Sequence, residues 1–185
     1  MRTYITLAIF IIIAIGSFWF LQNLTEEPAS DITADSHFPD YFMENFSITS
    51  LNPQGKPEYI LKAEKMLHYS DDDKAELEQP FINIKQADND ITLRASRAIF
   101  LQQQNTIFLH DKVVIHRAAS KTQSELSIFT DYLKIDTESH IAETHLAARV
   151  KTPEAELNTI GLKLDNMQGT VTLQSQVKGT YEEAN

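Results

Sequence analysis

The sequence predicts an all-β domain behind a short apolar N-terminal segment, and three observations carry that prediction. Beyond Leu21, apolar residues alternate with polar residues, which is the period of a strand with one buried face. Polar turns interrupt this alternation about every 8–12 residues. After Leu21 the sequence has no helix-length stretch with a clean period of about 3.6 residues. A sandwich, a jelly roll and an open barrel all fit this pattern.

The composition limits the function. A chain of 185 residues has room for one domain with a full core and an appendage. The net charge of −10 argues against a nucleic-acid partner, which needs a basic face. The chain has no cysteine, which excludes disulfides and thiolate metal sites.

Residues 5–21 contain no charge and reach about 25 Å as a helix, close to the lower limit for a bilayer core. Arg2 precedes them, so we expect residues 1–4 in the cytoplasm and the remaining chain on the outer side of the inner membrane. Ala14, Ile15 and Gly16 also fit a signal-peptidase site, but the apolar run continues past them and favours an uncleaved transmembrane anchor. Residues 22–40 form the predicted periplasmic linker, and residues 41–185 form the periplasmic domain.

The strands are predicted in chain order from alternation and turn residues. Asn52, Pro53 and Gly55 make a β-turn between the first two strands, and Pro80 suits a strand start or an edge. In residues 91–117, the clearest stretch, we expect strand, turn, strand, a short turn at residues 110–112, and strand. Further predicted strands are residues 46–51, 59–63, 81–84, 126–129, 132–136, 141–150, 155–157, 161–164 and 170–177.

No motif for catalysis or metal binding stands out. The run Asp71, Asp72 and Asp73 lacks the glycine and distal glutamate of a calcium loop, so a solvated turn is the better interpretation. His110 and His116 have no evident third zinc ligand. We therefore predict no catalytic residue, no metal and no cofactor. Scattered carboxylates leave open a glycosidase, which needs a facing pair.

Several weak features together resemble the LptC family of lipopolysaccharide-export proteins. They are the N-terminal anchor, the Asn52-Pro53-x-Gly55 turn with Tyr59-x-Leu61-x-Ala63, Tyr69-Ser70-Asp71, Gln79-Pro80, Gly161-Leu162-Lys163 and a last strand ending at Tyr181. The resemblance covers essentially the whole chain. It departs at Asp111, where family members often have glycine before the strand of Val113, Val114 and Ile115.

The resemblance implies a twisted, open β-jelly roll of the Lpt/OstA-like type that transports lipopolysaccharide. Such a protein accepts the lipid from the inner-membrane Lpt ABC transporter through its N-terminal edge and transmembrane helix, and passes it to LptA at its C-terminal edge. Both protein contacts would be strand additions. The alternative is a purely structural membrane-anchored adaptor that binds no lipid.

Site residues follow from the resemblance and from the apolar alternation. The LptA edge is assigned to Thr172, Lys178 and Tyr181. Lys62, Arg94 and Arg97 are candidates for phosphate contacts at a rim. The predicted lining of the lipid trough is Phe46, Ile48, Tyr59, Leu61, Leu77, Ile82, Ile84, Leu93, Ile107, Leu109, Ile128 and Leu173.

Overall fold

Eleven strands, joined into one antiparallel sheet, make up the body of the protein. The computed structural model describes residues 17, 18, 20, 37–86, 89–121 and 123–181. The chain divides into two units, residues 1–37 and residues 38–185, and the second contains every strand. This confirms the all-β prediction.

The strands follow each other with short connections. They are β1 Tyr41–Leu51, β2 Pro57–Tyr69, β3 Lys74–Glu78, β4 Phe81–Ile84, β5 Ile91–Arg94, β6 Arg97–Leu101, β7 Thr106–Arg117, β8 Leu126–Asp136, β9 Ile141–Lys151, β10 Ala155–Asp165 and β11 Thr170–Tyr181. A 3₁₀ turn at Gln102–Gln104 joins β6 to β7.

The pairing order leaves two strands at the edges of the sheet. Among the strands that the structure describes, β1 pairs with β2 alone and β11 pairs with β10 alone. Between β2 and β7 the sheet is split. β4 and β5 occupy one half of the gap, and β3 and β6 occupy the other half. From β7 to β11 each strand pairs with the next one in the sequence.

A line of backbone irregularities crosses the sheet at this split. Asn45, Asp111, Lys112 and Gln176 have positive φ within β1, β7 and β11, and Gly161 has φ +80 in β10. Register shifts accompany the breaks in β7, β8, β9 and β10. This line is called the bulge line here. Because β-bulges bend a strand, it divides the sheet into a β4–β5 half-sheet and a β3–β6 half-sheet, and the long strands contribute one part to each.

The two half-sheets share one hydrophobic core. Its most buried large side chains are Leu109, Ile128, Leu133, Leu162 and Val113, with at most 1% of each exposed. A single sheet layer does not bury residues this deeply, so the inner faces of the half-sheets cover each other. This two-layered arrangement fits the predicted jelly roll.

Several details of the strand prediction are wrong. β3 Lys74–Glu78 was not predicted as a strand. The expected strands 155–157 and 161–164 are one strand, β10, with a register shift between Ile160 and Leu162. Two further errors also lie on the bulge line. The expected turn at residues 110–112 is a bulge inside β7, where Asp111 has φ +62 and Lys112 has φ +52. The expected strands 126–129 and 132–136 are one strand, β8, with its register broken between Thr130 and Lys134. Polar residues at a bulge mimic a turn because both interrupt the two-residue period.

The N-terminal anchor prediction lies almost entirely outside the described residues. Of residues 5–21, the structure describes Ser17, Phe18 and Phe20, which are helical and exposed. Within the part of the chain that is described, no helix combines the length and the apolarity needed to cross a membrane.

Candidate functional site: the apolar interior and the two sheet edges

An apolar row crosses the inner face of the β4–β5 half-sheet from edge to edge. Directly paired residues of antiparallel strands project to the same face of a sheet, so the register identifies its members. From β1 to β11 they are Ile48, Leu61, Ile82, Leu93, Ile115, Ile128, Val150, Leu157 and Gly179. All are apolar, and at Gly179 a Cβ would lie 2.4 Å from Cδ2 of Leu157, so a larger residue there would require the Leu157 side chain to shift.

The inner face of the β3–β6 half-sheet has matching rows. One of them consists of Met43, Met66, Leu77, Ala98, Leu109 and Leu133. A second row consists of Tyr41, His68, Ala75, Phe100, Ile107, Ile135, Ala142, Leu164 and Val171. Apart from Tyr41 and His68 at the β1 side, these rows form an apolar layer that reaches from β1 to β11.

Ten of the twelve predicted trough residues belong to this interior. Leu77, Leu93, Leu109 and Ile128 are buried in the core, and six more pack against it half-buried, namely Phe46, Leu61, Ile82, Ile84, Ile107 and Leu173. Ile48 and Tyr59 face the same side through their partners Leu61 and Ile84, but 38% and 39% of them are exposed. Both lie close to the edge of the sheet.

The sequence prediction missed several interior residues. Met66, Leu133, Val150 and Leu162 are buried in the same core. Each occupies an apolar position that alternates with polar neighbours, so a signal existed. It was weak because each lies within four residues of a break in the strand pattern, such as the bulge in β8 or the turn at Pro153.

The buried polar side chains among the described residues are four threonines, and three of them lie on the bulge line. Thr130 donates to the carbonyl of Ala147 at 2.9 Å, and Thr144 accepts from the N–H of Leu146 at 3.1 Å. The Thr159 hydroxyl lies 3.0 Å from the carbonyl of Ser175. These hydroxyls bond backbone groups near the bulges and so limit the polarity of the interior.

The two edge strands carry exposed apolar side chains. On β1 these include Phe42 at 65% and Leu51 at 57%, and on β11 they include Val177 at 51% and Tyr181 at 71%. An edge strand also presents unpaired backbone N–H and C=O groups along its outer side. Both edges are therefore suited to pair with a strand of another chain.

The residues predicted for the LptA edge all lie on β11. Thr172 pairs with Lys163, Lys178 with Asn158, and Tyr181 with Ala155. All three are exposed. Tyr181 faces the inner side, like Gly179 two residues before it on the same strand. Thr172 and Lys178 face outward.

A histidine holds the start of the edge strand β1. The Nδ1 atom of His68 lies 2.7 Å from Oδ1 of Asp40, and its ring stacks on Tyr41 with centroids 4.5 Å apart. Nε2 lies 3.6 Å from Oδ1 of Asp73. The hydrogen bond with Asp40 raises the pKa of His68 and lowers the pKa of Asp40.

The weak metal candidates have other interactions in the structure. His110 contacts Tyr132 edge-on and His116 lies 3.1 Å from the Ser127 hydroxyl, so the two histidines belong to different half-sheets. The carboxylate of Asp71 accepts from the N–H of Asp72 in a turn. That geometry fits the solvated turn expected from the sequence.

The three cations proposed for a rim do not lie together. Lys62 and Arg94 project from the outer face of the β4–β5 half-sheet, opposite the apolar row. Arg97 lies on the β3–β6 half-sheet and bonds the Asp111 carboxylate at 2.8 Å. The prediction that they flank the trough opening is therefore replaced by two separate outer-face positions.

Comparison with known proteins fits this architecture. The fold is similar to the crystal structure of LptH, the LptA homologous periplasmic component of the lipopolysaccharide transport device from Pseudomonas aeruginosa, with a TM-score of 0.56 and 7% identity. The match covers 68% of this chain and 95% of LptH, and at that identity it shows the fold alone. No curated protein matches the sequence. The family model "Lipopolysaccharide-assembly, LptC-related" matches residues 7–182, so the chain belongs to the LptC family and takes part in lipopolysaccharide transport.

Proposed function

We propose that the protein is a membrane-anchored conduit for lipopolysaccharide. It accepts the lipid from the inner-membrane ABC transporter, shields the acyl chains between its two half-sheets, and passes the lipid to LptA. The observation that carries this proposal is the apolar row of the β4–β5 half-sheet, which reaches both edge strands without a polar member.

The proposed shielding has a clear energetic basis. Each acyl CH₂ group exposed to water costs about 0.8 kcal/mol, so a lipid with several chains needs an apolar cover to cross an aqueous space. The apolar row of the β4–β5 half-sheet crosses nine strands, and eight strand spacings of about 4.8 Å make it about 38 Å long. The buried threonines already have partners, so the interior offers few polar groups that would retain the lipid.

Lipid entry would require the two half-sheets to move apart. Leu77, Leu93, Leu109 and Ile128 are at most 6% exposed, so acyl chains have to displace contacts between these residues. The bulge line is the natural hinge for this motion, because its strands already lack regular pairing there.

The two edges would serve the two protein partners. In this proposal β1 pairs with the transporter and β11 pairs with LptA, each by strand addition. Ile48 and Tyr181, which are partly exposed at opposite edges, would then continue the apolar interior into the neighbouring sheet. Residues 5–21 would be the transmembrane anchor, and residues 22–40 the linker to the periplasmic domain.

A photo-crosslinking amino acid placed at Leu77 or Leu109 tests lipid binding in cells. Both positions face the interior, and we expect each to capture lipopolysaccharide. The matched control is Phe108, which is half-buried on the outer face beside Leu109. Capture at Phe108 equal to that at Leu109 would contradict an internal route for the lipid.

Removal of β11 tests the proposed LptA edge. A chain that ends before Thr170 should lose LptA binding and keep its association with the membrane. The point variant Tyr181→Asp tests the same edge without shortening the sheet, since it places a charge where the apolar interior meets the partner. Unchanged LptA capture by both variants would refute docking at β11.

A structural adaptor that binds no lipid is the second candidate. The tight packing of Leu109, Leu133 and Leu162 favours it, because an adaptor needs no internal space. The two candidates separate in one experiment. An adaptor gives protein capture from a crosslinker at Tyr181 and no lipopolysaccharide capture from Leu77.

A glycosidase would need a facing carboxylate pair inside, and the buried polar residues described are threonines.

A further inference from the structure

A row of cations and aromatic rings crosses the outer face of the β4–β5 half-sheet. The register places its members on consecutive strands from β2 to β11. They are Lys62, Phe81, Arg94, Val114, Phe129, Arg149, Asn158 and Lys178, called the basic row here. Seven strand spacings of about 4.8 Å give the row a length of about 34 Å.

The basic row contains four positive charges and no carboxylate, although the chain carries a net charge of −10. All four cationic side chains are exposed. Among the residues that the structure describes, only Arg149 has an ion-pair partner, Glu156 at 3.9 Å. The other three cations, Lys62, Arg94 and Lys178, therefore give the row a local positive potential without an ion-pair partner among the described residues.

Each of the two arginines contacts an aromatic ring on the neighbouring strand. The Arg94 guanidinium carbon lies 4.9 Å from the centroid of the Phe81 ring, and that of Arg149 lies 4.9 Å from the Phe129 ring. Cation–π contacts of this kind orient the guanidinium and leave its edge N–H groups free for an acceptor. A shallow depression of about 330 Å³ adjoins Phe81 and Arg94.

The shape of the row decides which partner it fits. Its cations are separated by two or three strands, about 10–14 Å, so one small anion cannot contact several of them. A flat array of phosphates can do so. Arginine beside aromatic rings also suits the headgroup region of a bilayer, where anionic lipids attract Lys and Arg.

We propose that the basic row docks the domain onto the headgroups of anionic phospholipids in the membrane. This rests on the proposed function for the anchor at residues 5–21, which would keep the domain beside a bilayer. Because the row lies on the face opposite the apolar interior, the docked lipids are distinct from the transported lipid. Docking would use the outward-facing side chain of Lys178 on the edge strand β11 and leave the backbone groups of both edges free for strand addition.

Energy transfer from the domain to labelled lipids tests this proposal. The chain has no cysteine, so Asn158→Cys gives a single fluorophore site within the basic row, and Thr172→Cys gives one on the other half-sheet. The full chain is reconstituted in vesicles with rhodamine-labelled headgroups. One set contains about one third phosphatidylglycerol, and the other contains phosphatidylcholine alone.

We expect transfer from position 158 to be about twofold higher in the anionic vesicles, and to fall as salt is raised from about 0.1 M to 0.5 M. The quadruple variant K62Q/R94Q/R149Q/K178Q should lose this difference. The matched control K65Q/R97Q/K134Q/K163Q removes four cations from the outer face of the other half-sheet and should retain it. Circular dichroism confirms that both variants fold.

Equal transfer in the two kinds of vesicle, or equal loss in the two variants, would overturn the proposal. If the basic-row variant instead loses capture of LptA or the transporter while its transfer is unchanged, the row serves a protein and membrane docking is wrong. Lipopolysaccharide capture at Leu77 reports the conduit separately. If residues 5–21 are not a membrane anchor, the row should still bind anionic vesicles at low salt. Energy transfer therefore tests the docking proposal whether or not the anchor proposal is right.

Discussion

The two half-sheets have the same backbone plan and different outer faces. In the β3–β6 half-sheet, charges of opposite sign neutralise each other, as in Lys134 with Glu143 at 3.8 Å and Lys74 with Glu76 at 3.2 Å. In the β4–β5 half-sheet, the basic row runs from β2 to β11 without a carboxylate. Opposite-sign pairs solubilise a surface, whereas the three cations of the row without such a pair, Lys62, Arg94 and Lys178, remain available to a partner.

The inner faces differ as well. The β4–β5 half-sheet is lined by branched aliphatic side chains such as Leu61, Ile82 and Leu93, and the β3–β6 half-sheet contributes Met43, Met66 and Ala98. Methionine and alanine leave a softer surface than interlocking isoleucine and leucine. The inner face of the β3–β6 half-sheet therefore combines methionine and alanine with tightly packed leucines such as Leu109 and Leu133.

The largest effect should come from cavities on either side of the shared core. Leu109 in the β3–β6 half-sheet and Ile128 in the β4–β5 half-sheet are each 1% exposed. Leu109→Ala and Ile128→Ala should each lower the free energy of unfolding by about 2–5 kcal/mol, measured by urea denaturation. Two separate unfolding transitions, with each variant affecting one of them, would show that the half-sheets do not form one core.

A smaller effect is expected where the half-sheets meet. Thr130→Val keeps the side-chain shape but removes the hydroxyl that donates to the Ala147 carbonyl in a partly buried hydrogen bond. We expect a loss of about 1–3 kcal/mol in unfolding free energy. Thr170→Val at the exposed start of β11 is the control and should change stability by less than about 0.5 kcal/mol. Equal effects would mean that the threonine does not stabilise the bulge.

Asp111 tests the backbone of the bend itself. Its φ of +62 suits glycine and disfavours β-branched residues. Asp111→Gly should stay within about 0.5 kcal/mol of the natural chain, since relief of strain offsets the lost Arg97 pair, whereas Asp111→Val should destabilise by about 1–2 kcal/mol. Thr172→Val, in regular strand backbone, controls for β-branching. Thermal melts with no difference between glycine and valine would contradict the bulge.

The smallest effect concerns pH at the β1 edge of the β3–β6 half-sheet. The pKa of His68 is raised by Asp40, so its contribution to stability is complete below its ordinary pKa, about 6.5, and is lost as the pH rises through the higher folded value. Hydrogen exchange at the amides of Tyr41 and Phe42 should therefore accelerate with pH more than base catalysis alone explains. The His68→Gln variant should show only the acceleration that base catalysis explains. If the additional acceleration persists in this variant, His68 is not its cause.

The sequence predicted which face of the sheet a side chain occupies, but not how far that side chain lies from the edge of the sheet. Ile82 and Ile84 were assigned to one face, and both pack against the core. Ile48 and Tyr59 were assigned to that face too, but they lie close to the edge, because the two-residue period gives a side chain's face and not its distance from an edge. Asp111 was marked as a departure from a family glycine, and its positive φ supplies the physical reason.

The sequence alone did not predict the basic row, because its members are far apart along the chain and are brought together by strand pairing. Phe81 and Arg94 are 13 positions apart, and Phe129 and Arg149 are 20 positions apart, in segments whose pairing is fixed by register. Lys62 and Arg94 were noticed as cations but were assigned to a rim. Their shared row emerges only when the partners of β4 and β5 are known.

The most direct test of the account is a lipopolysaccharide titration of the protein with ¹³C-labelled methyl groups. The same spectra report methyl groups on both faces of the sheet. The inner-face methyls are those of Leu93, Leu109 and Ile128, and the outer-face methyls are those of Val114 and Ile99. The account predicts that shifts and broadening concentrate on the inner-face methyls of both half-sheets. Perturbation confined to the outer-face methyls, with the inner-face signals unchanged at saturating lipid, would contradict the proposed internal path.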